Sequence, residues 1–174
     1  MTGRTLILFE DESPNPATVE ALARPLGAAA AIFRRADGEG NLLLAPDGET
    51  GADAPWRKAT IHCTHGDLSD PSITHLFKVT IETPKGDGQE LIDWYDQEHL
   101  PILLECGTWI AGQLVEEETA GTRRFHALHR LADPEALDSE ARRRSRSTDW
   151  FNELSKKPWF DGPFVRRLFE KVQA

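Results

Sequence analysis

The segment Trp94-Tyr-Asp-Gln-Glu-His-Leu-Pro101 gathers groups that can move a proton. On a helix Tyr95 and His99 share one face, and Asp96 lies on an adjoining line. A histidine oriented by a carboxylate is a usable general base near neutral pH. Pro101 removes a backbone donor and crowds the preceding turn, so the spacing predicts a kink near His99. The kink would set Tyr95, Asp96 and His99 at a cavity mouth. The competing structural reading is that His99 serves the carbonyls freed by Pro101.

Arg123 to Leu131 holds two more histidines, His126 and His129. Period two puts His126, Leu128 and Arg130 on one face of a strand, and Phe125, Ala127 and His129 on the other. One histidine should face the open side of a sheet and the other should lie under helices. A helix-side histidine is more often simply packed, so His126 is the candidate site residue. His62-x-x-His65 could offer two metal nitrogens, but only Asp67 stands near them as a further ligand, so no metal is expected. Five tryptophans are many for this length. Trp94, Trp109, Phe77 and Phe125 are the candidates for an aromatic wall around a small apolar or aromatic molecule, although each would serve equally in a core or interface.

These groups need a scaffold. His75 to Thr83 alternates and is rich in β-branched residues, which reads as a strand with Phe77, Val79 and Ile81 on one side. Gln89 to Cys106 has helical spacing, and Gly107 ends it. Thr108–Glu117 and Arg123–Leu131 form a hairpin. Asp133-Pro-Glu starts a helix running to about Arg146, by cap, fixed φ and first-turn acid. A short helix covers Thr148 to Lys156, and Phe164 to Val172 closes the series as a strand. The order β-α-β-β-α-β is the ferredoxin-like unit, with helices on one face of an antiparallel sheet. Its bare face must be covered, which predicts a homodimer unless a second sheet comes from the same chain.

The first 70 residues hint at a degenerate copy. Arg4–Phe9 is a strand, Pro16–Arg24 a helix capped by Asn15, and Ala28–Arg35, Asn41–Ala45 and Trp56–Thr64 are further strands. This divides the chain into 1–70 and 71–174, with the last helix of the first half possibly missing.

The 174 residues carry a net charge of −9, which disfavours nucleic acid and anionic membranes as partners. The run Arg142-Arg-Arg-Ser-Arg146 departs from this and is expected to be the solvated face of a helix. No apolar run reaches the roughly 18 residues of a membrane helix. The start reads as a strand, not a signal peptide. Cys63 and Cys106 form no CxxC pair, which suggests a reducing, cytoplasmic setting. Glycine-rich phosphate loops and the Gly-x-Ser-x-Gly elbow are absent from the sequence.

The stretch Trp94-Tyr-x-x-Glu98-His-x-Pro101 resembles a segment of the first helix in EthD-like proteins of the dimeric α/β-barrel superfamily. Gly107-Thr-Trp109, the hairpin, Arg123 to His129 and Asp133-Pro-Glu-Ala-Leu137 resemble that family's continuation. The resemblance covers residues 75 to 172. It implies an α+β, ferredoxin-like antiparallel sheet forming a dimeric, or intrachain tandem, α/β barrel. It also implies small-molecule chemistry, since the superfamily includes cofactor-free cyclases, lactone isomerases, small monooxygenases and dye-type peroxidases. The expected function is a cofactor-free lyase, isomerase or cyclase using His99, with Asp96, Tyr95 and His126, in a cavity between two sheets. The alternatives are a non-catalytic ligand-binding protein and a haem- or oxygen-dependent oxidoreductase.

Overall fold

The computed structural model describes residues 4–47, 55–117, 119–160 and 164–172. Eight strands, β1 (Thr5–Asp11), β2 (Ala31–Arg35), β3 (Asn41–Pro46), β4 (Arg57–Gly66), β5 (His75–Pro84), β6 (Trp109–Glu117), β7 (Thr122–Leu131) and β8 (Val165–Lys171), close into one barrel. All pairings are antiparallel, in the order β1-β3-β2-β8-β5-β7-β6-β4 and back to β1.

Each half of the chain contributes four neighbouring strands in the same order: fourth, first, third, second. That is β4-β1-β3-β2 and β8-β5-β7-β6. The second half is the ferredoxin-like β-α-β-β-α-β unit, and the first half repeats its strand arrangement. The expected gap in place of the first half's last helix falls at 48–54, outside the described residues. The halves join where β2 pairs β8 and where β4 pairs β6. The barrel thus closes within one chain. The bare sheet face that called for a second subunit is already covered, so the physical ground for expecting a homodimer is gone.

One apolar cluster draws Leu6, Leu8, Phe33, Leu42, Leu44, Ala59, Leu76, Val115, Leu128 and Phe169 from all eight strands, which identifies it as the barrel interior. The strand alternation that selects these residues sends the intervening ones outward. Outside, α1 (Ala17–Ala23) lies on the first half and buries Val19. Asn15 Oδ1 accepts the Ala17 N–H ahead of it, as the sequence suggested. On the second half, α2 (Gly88–Trp94) continues through a π turn, Tyr95–His99, into α3 (Leu100–Leu103). Then come α4 (Glu140–Ser145) and α5 (Asp149–Ser155).

The helix expected from Asp133 to Arg146 is broken in two. Pro134–Asp138 is a single tight turn capped by Asp133, and Ser139 then starts α4 by accepting the Arg142 N–H. A serine in extended backbone competes with helix continuation by offering its hydroxyl to the next turn.

Candidate active site

The helices do not lie flat on the sheet. Between them and the outer face of β5, β6, β7 and β8 is a cleft of about 430 Å³. Phe77, Val79 and Ile81 from β5, Trp109 from β6, His129 from β7 and Arg166 from β8 form the floor. Trp94, Tyr95, His99 and Leu103 form one wall; Arg142 and Arg146 of the α4 turn, Phe151 and Ser155 of α5, and Phe160 and Phe164 form the others. The size and the mixture of aromatic walls with a few polar groups suit a small organic ligand.

The π turn decides what reaches the cleft. Leu100 donates its N–H to Tyr95 O, one residue further back than in an α-helix. Pro101 follows at once, where a proline without a donor is tolerated only near a helix start. The predicted kink is therefore a widened turn. Tyr95 and His99 remain together on the cleft side, meeting edge to face with ring centroids 4.8 Å apart. Trp94 packs on His99 at 4.2 Å. Glu98 holds that arrangement: its Oε1 accepts from Trp94 Nε1 at 3.0 Å and from Thr148 Oγ1 at 2.6 Å. Thr148 in turn caps α5 by accepting the Phe151 N–H. One carboxylate thus ties the tryptophan wall to the helix opposite.

Asp96 is not part of this group. With more residues in each turn it falls off the Tyr95–His99 line, and its Oδ1 meets His65 Nε2 at 2.8 Å on the outer surface. The expected carboxylate partner of His99 is replaced by a second imidazole. His129 stands directly opposite Phe77 on β5 and Gly112 on β6. Its ring lies 6.2 Å from that of His99 and 5.1 Å from that of Trp109. A Cβ on Gly112 would come within 2.4 Å of Leu100 Cδ2, next to His99, so a larger residue there would push that side chain aside.

Both cleft histidines are buried, and Nδ1 of each has no hydrogen-bond partner. Burial pushes His129 down to about 3, and the Arg142 guanidinium adds to the shift. Burial and then the nearby His129 hold His99 well below the ordinary imidazole value, while backbone hydrogen bonding at Ser145 opposes them. Desolvation also raises the Tyr95 hydroxyl above its usual value. At neutral pH the cleft therefore presents two uncharged imidazoles and a neutral phenol.

His126 faces the other way. It points into the barrel, where its Nε2 donates to Glu117 Oε2 at 3.0 Å and its Nδ1 accepts from Thr80 Oγ1 at 3.0 Å. An odd separation along a strand puts it on the opposite face from His129. The cavity lies on the helix side and not between two sheets, so His126 does not line it. Phe125 is on the helix side, but it packs beside His62 and Arg123, away from the cleft. Trp94, Trp109 and Phe77 do line it. His62 and His65 are drawn apart, to Glu116 and Asp96. The described residues contain no cluster of three metal-ligating side chains.

The basic run divides as well. Arg143 and Arg144 face solvent and pair with Glu140 and Glu105, as expected of a solvated helix face. Arg142 and Arg146, one turn apart, turn to the cleft instead. Their four-residue spacing, which puts them on one helix face, is the sequence signal for this.

The fold and site define a class: a ferredoxin-like α+β barrel, built in tandem within one chain, with a helix-covered cleft on one half. The chain is similar in structure to a ferredoxin-fold protein from Listeria monocytogenes described as related to antibiotic biosynthesis monooxygenases, with a TM-score of 0.70 at 9% identity, covering 99% of this chain and 97% of that one. It is also similar to a heme-degrading enzyme from Listeria monocytogenes, with a TM-score of 0.66 at 9% identity, covering 95% and 98%. An anthrone oxidase-like protein matches with a TM-score of 0.62 at 12% identity, covering 98% and 92%. At these identities the likeness is one of fold. No family model matches the sequence, and no curated protein matches it.

Proposed function

We propose that this chain is an EthD-like enzyme of small-molecule chemistry that moves a proton on an aromatic substrate held in the helix-covered cleft. The observation that carries this reading is the pair of uncharged imidazoles, His99 and His129, each with an unpartnered Nδ1, facing one aromatic-walled space. A buried polar group without a partner costs stability, and a site that retains two of them is arranged for a ligand.

In an isomerisation, one imidazole takes a proton from a carbon next to a carbonyl. The electron pair of the broken C–H bond moves into the enolate. The proton then returns at a different atom of the same substrate, so no oxidant is needed. Trp94, Trp109 and Phe77 hold the ring plane. Free thiols at Cys63 and Cys106 support a cytoplasmic setting. No helix among the described residues is long and apolar enough to cross a membrane.

The test is hydrogen–deuterium exchange of 2-tetralone, an aromatic ketone with acidic C–H bonds, followed by NMR in heavy water. The protein should accelerate exchange, and His99→Gln should reduce the acceleration about 100-fold. A folded His99→Gln variant with unchanged exchange would remove His99 from the chemistry. Binding without exchange would assign the cleft to a ligand-binding protein.

A second reading rests on the same imidazoles, because a neutral histidine is also a ligand for haem iron. His99 or His129 would hold the iron, and the cofactor would supply the redox chemistry. Titration with hemin, read from the haem absorption band in wild type and in His129→Leu, separates the two readings.

A further inference from the structure

The chain is acidic overall, yet three arginines converge on the cleft. Arg142 is half-buried, and Arg146 and Arg166 are exposed at the mouth. None of the three has a carboxylate within salt-bridge distance among the described residues. Their neighbours in sequence do: Arg143 pairs with Glu140, Arg144 with Glu105, and Arg167 with Glu12 and Glu10. Among the described residues, carboxylates thus neutralise the adjacent cations and not these three.

Two of them, Arg142 and Arg166, are also held in place by contacts that need no carboxylate. Arg142 donates to Leu137 O and lies over the Phe77 ring at 5.9 Å. Arg166 lies over the Phe164 ring at 5.2 Å. Stacked guanidinium groups are fixed in orientation while their remaining N–H donors stay open. They are close enough for repulsion: Arg142 is shifted down by its burial first and then by Arg146, with the Asp138 carboxylate opposing and Arg166 adding a smaller push. An anion placed among them would relieve that repulsion.

Resting on the reading of this cleft as a substrate site, we infer that it takes aromatic carboxylates. The ring would lie between Trp94, Trp109 and Phe77, and the carboxylate would be held at the mouth by Arg142, Arg146 and Arg166. The guanidinium fork matches a carboxylate in shape as well as charge. The net charge of −9 does not prevent this, because at physiological salt only charges within about 8 Å of the bound group act on it strongly. Charge on the ligand also bears on the histidines. Arg142 and Arg146 help keep His99 uncharged, and a bound carboxylate would offset their field, making the imidazole a stronger base once substrate is in place.

The experiment is calorimetric titration with 2-naphthoate and with naphthalene-2-carboxamide, its uncharged counterpart of the same shape. The carboxylate should bind about tenfold more tightly. Arg146→Gln, at an exposed position where folding is not at stake, should weaken 2-naphthoate several-fold and leave the carboxamide unchanged. Arg142→Gln should act more strongly in the same sense, and raising the salt concentration should narrow the gap between the two ligands. Equal affinity for both, or indifference to Arg146→Gln, would overturn the carboxylate class while leaving the cleft as a site for aromatic molecules. Failure of both ligands to bind would overturn it too. If 2-tetralone exchange still responded to His99→Gln, the fault would lie with the inferred ligand alone; if it did not, the catalytic reading would fall with it.

Discussion

His126 and His129 sit on the same strand, are equally hidden from solvent and are the same residue type, yet they live in opposite chemical circumstances. His126 is inside the barrel with both ring nitrogens engaged, by Glu117 and Thr80. His129 is on the helix side among Phe77, Tyr95 and Trp109, with Nδ1 unpartnered. The same contrast runs through the two regions. The barrel interior closes its polar groups on one another: Lys78 and Arg167 meet Glu10, and Arg130 meets Gln113. The cleft leaves Nδ1 of two imidazoles and the indole nitrogen of Trp109 without a hydrogen-bond partner, and three guanidinium groups without a carboxylate, among the described residues. A satisfied polar interior specifies a structure, whereas an unsatisfied one is poised for something that arrives from outside.

Exchanging each histidine for leucine should separate the two regions most sharply. His126→Leu strips Glu117 and Thr80 of a buried partner and should destabilise the protein by about 2–3 kcal/mol in denaturant titration. His129→Leu removes a buried group with an unmet hydrogen bond and should be neutral or stabilising, while ligand binding and exchange in the cleft are lost. If His129→Leu proved as damaging as His126→Leu, the cleft histidine would be a structural one.

Acid sharpens the same comparison. The folded value of His129 lies at about 3, below its ordinary 6.5. Such a group takes up its proton on unfolding, so its contribution is complete above about 6.5 and is lost as the pH falls toward 3. Across that window it should cost up to about 1.4 kcal/mol of stability per pH unit. Denaturant midpoints at pH 6.5, 5.5 and 4.5 should fall less steeply for His129→Leu than for wild type. Parallel slopes would mean that the imidazole is hydrated and titrates normally.

The smallest effect belongs to the outward side of α4. Arg143→Gln breaks the exposed pair with Glu140 and an exposed hydrogen bond to Asp138 O, and should change stability by less than about 1 kcal/mol, with no change in 2-naphthoate affinity. A loss of affinity there would mean that general positive charge draws the ligand, not the three cleft arginines.

Much of the second half was legible because its signals are local. The strand at His75–Thr83, the short helix from Thr148 and the closing strand all follow from neighbours in sequence, whereas the helix expected to run to Gly107 already ends at Leu103. The Trp94–Pro101 segment pointed to an irregular turn beside a histidine, and what is there is a π turn. The site itself was only half legible. Asp96 went to His65, since whether a turn is α or π depends on packing above and below it, and His65 comes from a strand 31 residues earlier. Period two showed correctly that His126 and His129 oppose each other, but not which face would be filled.

The amino-acid order by itself determined the strands, the helices and which residues share a face, because backbone sterics and side-chain period act over a few residues. Only the tertiary structure decided that the first half closes the barrel against the second. That closure packs and pairs the inner face, and it leaves the helix side of β5 to β8 as the place where His99, His129 and three arginines meet. Burial and the pairing of charges depend on what lies across the sheet, and that is set by residues far away along the chain.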